Sequence, residues 1–126
     1  MDPGTGPLER RELAAAISAA MVELYAGVYG RGTTRARTFI EGDVVVCVLE
    51  DMLTADELRL VEDGGRREVI DGRVAFQEET EDEFSAAVER LTGQRVVAFL
   101  SANQTDPAVA CELFFLEPAP EPGVAG

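Results

Sequence analysis

Arg37-Thr38-Phe39-Ile40-Glu41-Gly42-Asp43-Val44-Val45-Val46-Cys47-Val48-Leu49-Glu50 is the stretch that decides the fold. Residues 37–41 alternate moderately between polar and apolar. Residues 44–50 are almost solidly apolar and rich in β-branched side chains, which fit a pleated, half-buried surface. Gly42-Asp43 between them is a short hairpin signal. The stretch therefore predicts two antiparallel strands. The unbroken apolar run of the second predicts a central strand buried on both faces.

Upstream, Leu13, Ile17, Met21, Leu24 and Val28 recur at three to four residues, one face of an amphipathic helix over residues 8–29 that Gly30 is placed to end. Downstream, Thr54-Ala55-Asp56-Glu57 has the spacing of a capping box and starts a short helix to about residue 63. Gly64-Gly65 breaks it. A long helical pattern follows to about Leu91, with Ile70, Val74, Phe84, Val88 and Leu91 at compatible spacing, and Thr92-Gly93 closes it. Gly72 is a place for a kink near its start. Two more strands, residues 95–101 and 110–117, flank a turn-rich segment, Ala102–Val109, built on Asn103-Gln104-Thr105-Asp106-Pro107. The order α-β-β-α-α-β-β predicts a single α+β domain over residues 8–117, an antiparallel four-stranded sheet with helices packed on one face. Residues 1–7 and 118–126, rich in glycine and proline, read as a flexible N-terminal arm and a flexible tail.

Composition narrows the chemistry. All 11 basic residues are arginine, so neither a lysine Schiff base nor a histidine base or metal ligand is possible. Ser18, Ser85 and Ser101 have no histidine to activate them. The reading is therefore not an enzyme, with no catalytic residues, no metal and no cofactor expected. A net charge of −13 argues against nucleic-acid binding and against anionic membrane surfaces. The longest apolar stretch, Val44–Leu49, is far shorter than a bilayer span, and no signal peptide is evident, so direct membrane insertion is not expected and the location reads as cytoplasmic. Cys47 and Cys111 each lie inside an apolar run and read as buried core residues.

Against this acidic background, residues 30–40 carry three arginines and no acid. Gly30, Arg31, Gly32, Thr33, Thr34, Arg35 and Arg37 form the candidate ligand-binding loop. Two glycines let backbone amides approach a ligand, two hydroxyls are close by, and arginine forks suit carboxylate, bicarbonate or phosphate. The segment lacks the lysine and the strand-to-helix context of a phosphate loop. Its arginines could equally pair with the domain's own carboxylates. Asn103 and Asp106 are a secondary candidate site for a small polar ligand, or the two form an Asx-type turn. Residues 77–83 hold five acids, a solvated helix face or a docking strip for a second copy's arginines.

The segment Tyr29-Gly30-Arg31-Gly32-Thr33-Thr34-Arg35-Ala36-Arg37-Thr38-Phe39-Ile40, followed by Val44–Thr54, resembles a bacterial family first defined as a domain of unknown function and labelled Na+-translocating membrane potential-generating system C-like. Further similarity lies in Arg73-Val74-Ala75-Phe76-Gln77-Glu78, in Leu91–Ser101, and in Asn103, Asp106-Pro107 and Glu112–Pro118. The resemblance covers about residues 8–118 and matches the family pattern at Gly30, Arg31, Gly32, Arg35 and Arg37. Gln104-Thr105 between Asn103 and Asp106 departs from it. The resemblance implies a soluble accessory or interaction protein associated with a membrane potential-generating or inorganic-carbon transport system. With that reading goes a homodimer, with a membrane transport-system subunit as a further partner. The alternative is a module that senses a small anion or nucleotide through Arg31, Arg35 and Arg37.

Overall fold

A computed structural model describes residues 7–30, 32 and 34–118. The elements follow the expected order: α1 (Pro7–Tyr29), β1 (Arg35–Glu41), β2 (Val44–Glu50), α2 (Ala55–Glu62), α3 (Arg66–Thr92), β3 (Val96–Thr105) and β4 (Ala108–Leu116). The strands form one antiparallel sheet in the order β1-β2-β4-β3. α1 packs on β1 and α3 on β3, and the two helices meet over the same face of the sheet. The fold is α+β. Of the expected arm over residues 1–7, Pro7 already begins α1 and residues 1–6 lie outside the described residues, as do residues 119–126 of the expected tail over 118–126.

Local chemistry sets the boundaries. Gly30 takes φ 83° and its N–H returns to the Ala26 carbonyl at 2.9 Å, the left-handed cap that ends α1. The capping box at α2 is complete: Glu57 N donates to Thr54 Oγ1 at 3.1 Å, and Thr54 N donates to Glu57 Oε1 at 2.8 Å. α3 runs unbroken through Gly72 to Gly93, which caps it at φ 72°.

Several expectations shift. β1 begins two residues earlier, at Arg35. The segment 102–109 is mostly strand, because β3 and β4 pair as far as Thr105↔Ala108 and leave only Asp106-Pro107 as the turn. On α1, Val28 is 58% exposed while Tyr25 is 2% exposed. On α3, Val74 faces solvent and the buried positions are Val69, Arg73, Phe76, Gln77, Phe84, Ala87 and Val88. The true stripe is rotated by about one residue and its first half is partly polar, which hid it from an apolar-periodicity argument. Cys47 is buried as expected, but Cys111 points to the other face and is only half-buried. Glu9–Tyr29 is long and apolar enough, by length and composition alone, to cross a bilayer, because its alanines lift the mean hydropathy to 1.2. In the fold, Ile17, Met21 and Tyr25 of this helix are buried in the core.

The register makes the sheet a grid. Toward the helices it carries three complete rungs: Ile40-Val45-Phe114-Phe99, Thr38-Cys47-Glu112-Ser101 and Ala36-Leu49-Ala110-Asn103. Burial of a Val, Leu or Phe side chain here contributes about 1.5–3 kcal/mol. β2 is central as expected, yet only this face of it is fully buried; Val44, Val46 and Val48 on the reverse are half-buried. The helices cover one side alone. The outer face carries Phe39-Val46-Leu113-Leu100 as a wholly apolar rung, and Phe39 and Leu100 on the edge strands stay 54% and 57% exposed.

Candidate functional site

The arginine loop joins α1 to β1. Gly30, Gly32 and Thr34 line a cavity of about 380 Å³ with Tyr25, Tyr29 and the segment Asp51–Ala55. Arg35 and Arg37 do not turn into it. Arg35 Nη2 pairs with Asp51 Oδ2 at 2.9 Å, and Arg37 Nε with Glu50 Oε1 at 3.2 Å. Both are exposed cross-strand pairs, since Arg35 opposes Glu50 in the register and Arg37 lies two residues along. Arg31 and Thr33 lie outside the described residues. For the two described arginines, internal carboxylates take the place of an external anion.

Beneath that cavity lies a charged pair the sequence reading missed. Arg73 is 0% exposed. Its Nε donates to Glu57 Oε2 at 2.9 Å, and its Nη2 donates to Glu57 Oε1 at 2.5 Å and to the Met52 carbonyl at 2.6 Å. The guanidinium stacks 3.5 Å from the Tyr29 ring centroid. Burial alone would raise the Glu57 carboxyl, but the bonds from Arg73 and the Thr54 amide outweigh it and hold the group below its ordinary range. This pair pins α2 and the chain leaving β2 onto α3.

A second polar cluster crosses the sheet on the middle inner rung. Ser18 of α1 hydrogen-bonds Thr38 at 2.7 Å. Glu112, 0% exposed on β4, accepts at Oε1 from the Tyr25 hydroxyl at 2.7 Å and from Gln77 Nε2 at 2.8 Å. Gln77 Oε1 in turn accepts from Asn103 Nδ2 at 3.0 Å. Burial pushes the Glu112 carboxyl above its ordinary range, against its donors Tyr25 and Gln77 and the nearby Ser101 hydroxyl, which favour its charged form. Burial likewise raises the Cys47 thiol, its in-register neighbour, to about 11. Asn103 is thus drawn into the core network, whereas Asp106 stays exposed at the hairpin tip. Two signals for this cluster were present in the sequence: Glu112 sits at the core-facing parity of β4, with Ala110 and Phe114, and Arg73 and Gln77 lie four apart on α3.

Asn103 and Asp106 do share a cavity, the largest described, at about 690 Å³. It is lined by Arg66, Arg67 and Ile70 at the start of α3 and by Asn103–Asp106. Arg66 and Arg67 carry no ion pair among the described residues.

The family described as Na+-translocating membrane potential-generating system (MpsC) matches residues 9–118. The chain belongs to the MpsC family. The matched span enters α1 near its start and ends beyond β4, so both polar clusters, the arginine loop and both cavities fall inside it. The membership links this chain to a membrane potential-generating system. No curated protein and no solved structure matches the chain.

Proposed function

We propose that this MpsC-family chain is a non-enzymatic accessory protein of the membrane potential-generating system. It works on the cytoplasmic side, without inserting in the membrane, as a homodimer joined through the outer face of its sheet. The observation that carries the reading is that face. Its central rung, Phe39-Val46-Leu113-Leu100, is apolar from edge to edge, and Val44, Phe115, Val48 and Cys111 flank it. Four strands by seven residues give a face of roughly 20 by 24 Å, about 480 Å² against the roughly 800 Å² per partner of a standard interface, so the dimer contact is a small one.

Charge favours a second copy as its occupant. The chain carries −13, yet the charged residues of the outer grid, Arg35, Arg37, Glu41 and Glu50, cancel. The acids of α3 lie on the helix side. Two copies meeting sheet to sheet therefore keep their like charges apart. Sedimentation equilibrium tests this. The wild type should weigh twice 13.5 kDa and Leu113→Glu once. A wild-type monomer at high micromolar concentration would refute the dimer. For the accessory role, the test is crosslinking in cells to an identified subunit of the Na+-translocating system. That contact should be lost in the monomeric variant or retained at the helix face, and its absence from the wild type would refute the role.

A second reading, a small-anion or nucleotide sensor, is favoured by the cavity that Arg66 and Arg67 line without ion-pair partners. It moves the sensor away from Arg35 and Arg37, which are already paired. A thermal-shift panel of small anions separates the two places: loss of a hit in Arg66→Ala/Arg67→Ala favours the cavity, and loss in Arg31→Ala/Arg35→Ala favours the loop.

A further inference from the structure

Four buried side-chain polar atoms among the described residues have no hydrogen-bond partner, and three of them are oxygens on neighbouring positions of β3 and β4: Ser101 Oγ, Asn103 Oδ1 and Glu112 Oε2. Ser101 and Glu112 are direct cross-strand partners, and Asn103 is the next residue along β3 on the same face. Direct partners hold their Cβ atoms about 4.5–5.5 Å apart, and residues two apart on a strand lie about 7 Å apart. One amide ties the set together, since Gln77 donates to Glu112 and accepts from Asn103. That bond also fixes the amide of Asn103 with its nitrogen toward Gln77, leaving its oxygen on the orphaned side.

We propose that Glu112 Oε2, Ser101 Oγ and Asn103 Oδ1 form a binding site for a monovalent cation.

The charge on Glu112 needs a partner. Around it stand Tyr25 from α1, Gln77 from α3, Cys47 from β2 and Ser101 from β3, all neutral at physiological pH, with the Cys111 thiol beside it on β4. Arg73, the nearby cation, is engaged by Glu57 and the Met52 carbonyl. A buried carboxylate without a countercharge is strongly disfavoured, so the fold must supply it with a proton or a cation. The Ser101 hydroxyl can turn its hydrogen toward Glu112, and a water molecule can donate to Asn103, but neither brings a positive charge to the carboxylate. Hard oxygen ligands suit alkali and alkaline-earth ions. A single carboxylate among neutral oxygens balances one positive charge, whereas a divalent ion would leave a net charge in the core. Of the three oxygens' residues, Asn103 borders the 690 Å³ cavity. The proposal does not depend on the dimer or on the accessory role.

The test is thermal unfolding at about pH 8.5, well above the ordinary carboxylate range, in NaCl, KCl or LiCl against choline chloride at equal ionic strength. A bound cation at roughly ten times its dissociation constant raises the melting temperature by on the order of 5 °C. The wild type should show that rise for at least one alkali ion, and Glu112→Gln and Ser101→Ala should lose it. NMR of the same alkali nucleus supplies the second readout. Its line should broaden more with the wild type than with Glu112→Gln at equal protein concentration. Equal melting temperatures in all salts would overturn the proposal and leave a protonated structural carboxyl. A cation response that survives Glu112→Gln would overturn it by placing the ion elsewhere. Should Glu112→Gln fail to fold, Ser101→Ala and Asn103→Ala decide the matter by the same two measurements.

Discussion

The Tyr25 hydroxyl donates to Glu112 Oε1 at 2.7 Å, so a hydrogen bond spanning 87 residues of sequence fastens α1 to the polar rung of the sheet. Tyr25 also packs its ring 5.4 Å from Phe76 and 5.8 Å from Phe84, centroid to centroid. One residue thus links the polar rung and the aromatic core.

Tyr25→Phe keeps those ring contacts and removes the hydroxyl alone. It leaves a buried carboxyl with one donor in place of two. The expected loss is about 1–3 kcal/mol of unfolding free energy, read by urea denaturation at neutral pH. An unchanged midpoint would show that Glu112 does not rely on this bond.

Arg73→Met strands Glu57 without its cation and the Met52 carbonyl without its donor. Removing one partner of a buried pair costs about 3–5 kcal/mol. The accompanying pH dependence has a definite sign. Glu57 is held below its ordinary value of 4.5, so its contribution is present above that value and is lost as pH falls through the lowered one. Urea midpoints of the wild type should therefore drop on acidification in this window, and Arg73→Met, which keeps only the Thr54 bonds to Glu57, should show a smaller drop. A parallel decline in both proteins would sink the assignment.

The order of elements was legible because each boundary carries its own local chemistry: the Thr54 capping box, Gly64-Gly65, Thr92-Gly93 and the Gly42-Asp43 turn. What the sequence concealed were features created by tertiary packing. The buried half of α3 runs through Arg73 and Gln77, polar residues that an apolar-periodicity argument assigns to solvent. Their burial becomes intelligible only when Glu57 and Glu112, from other elements, supply partners. β2 read as buried on both faces because its outer valines resemble its inner ones; sequence pattern cannot say whether a second layer covers them. Of the candidate residues, Asn103 lies in strand β3 and bonds Gln77 instead of forming an Asx-type turn, while Arg35 and Arg37 pair with Asp51 and Glu50.

Those pairs are exposed, at 68% for the Arg35 side chain and 62% for that of Arg37. Surface ion pairs contribute about 0–1 kcal/mol. Arg35→Ala should therefore unfold within about 1 kcal/mol of the wild type, as measured by urea denaturation. A larger loss would mean that Asp51, whose backbone sits at φ 54° beside this pair, depends on it for its conformation.

The two cysteines report on the two faces of the sheet. Cys47 is 0% exposed and burial raises its thiol to about 11, so in the folded chain it has little thiolate and no access to reagent. Cys111 lies on the outer face and is half-buried in the single chain. A thiol-reactive chromophore should therefore label one cysteine per folded chain quickly and the second only on unfolding. If copies pair through the outer face, Cys111 becomes covered as they associate. Its labelling should slow as protein concentration rises, and Leu113→Glu should abolish that dependence while leaving Cys47 protected. Labelling of Cys111 that is fast and independent of concentration in the wild type would rule the outer face out as the dimer contact. Equal labelling of both thiols would contradict the packing of α1 over β2.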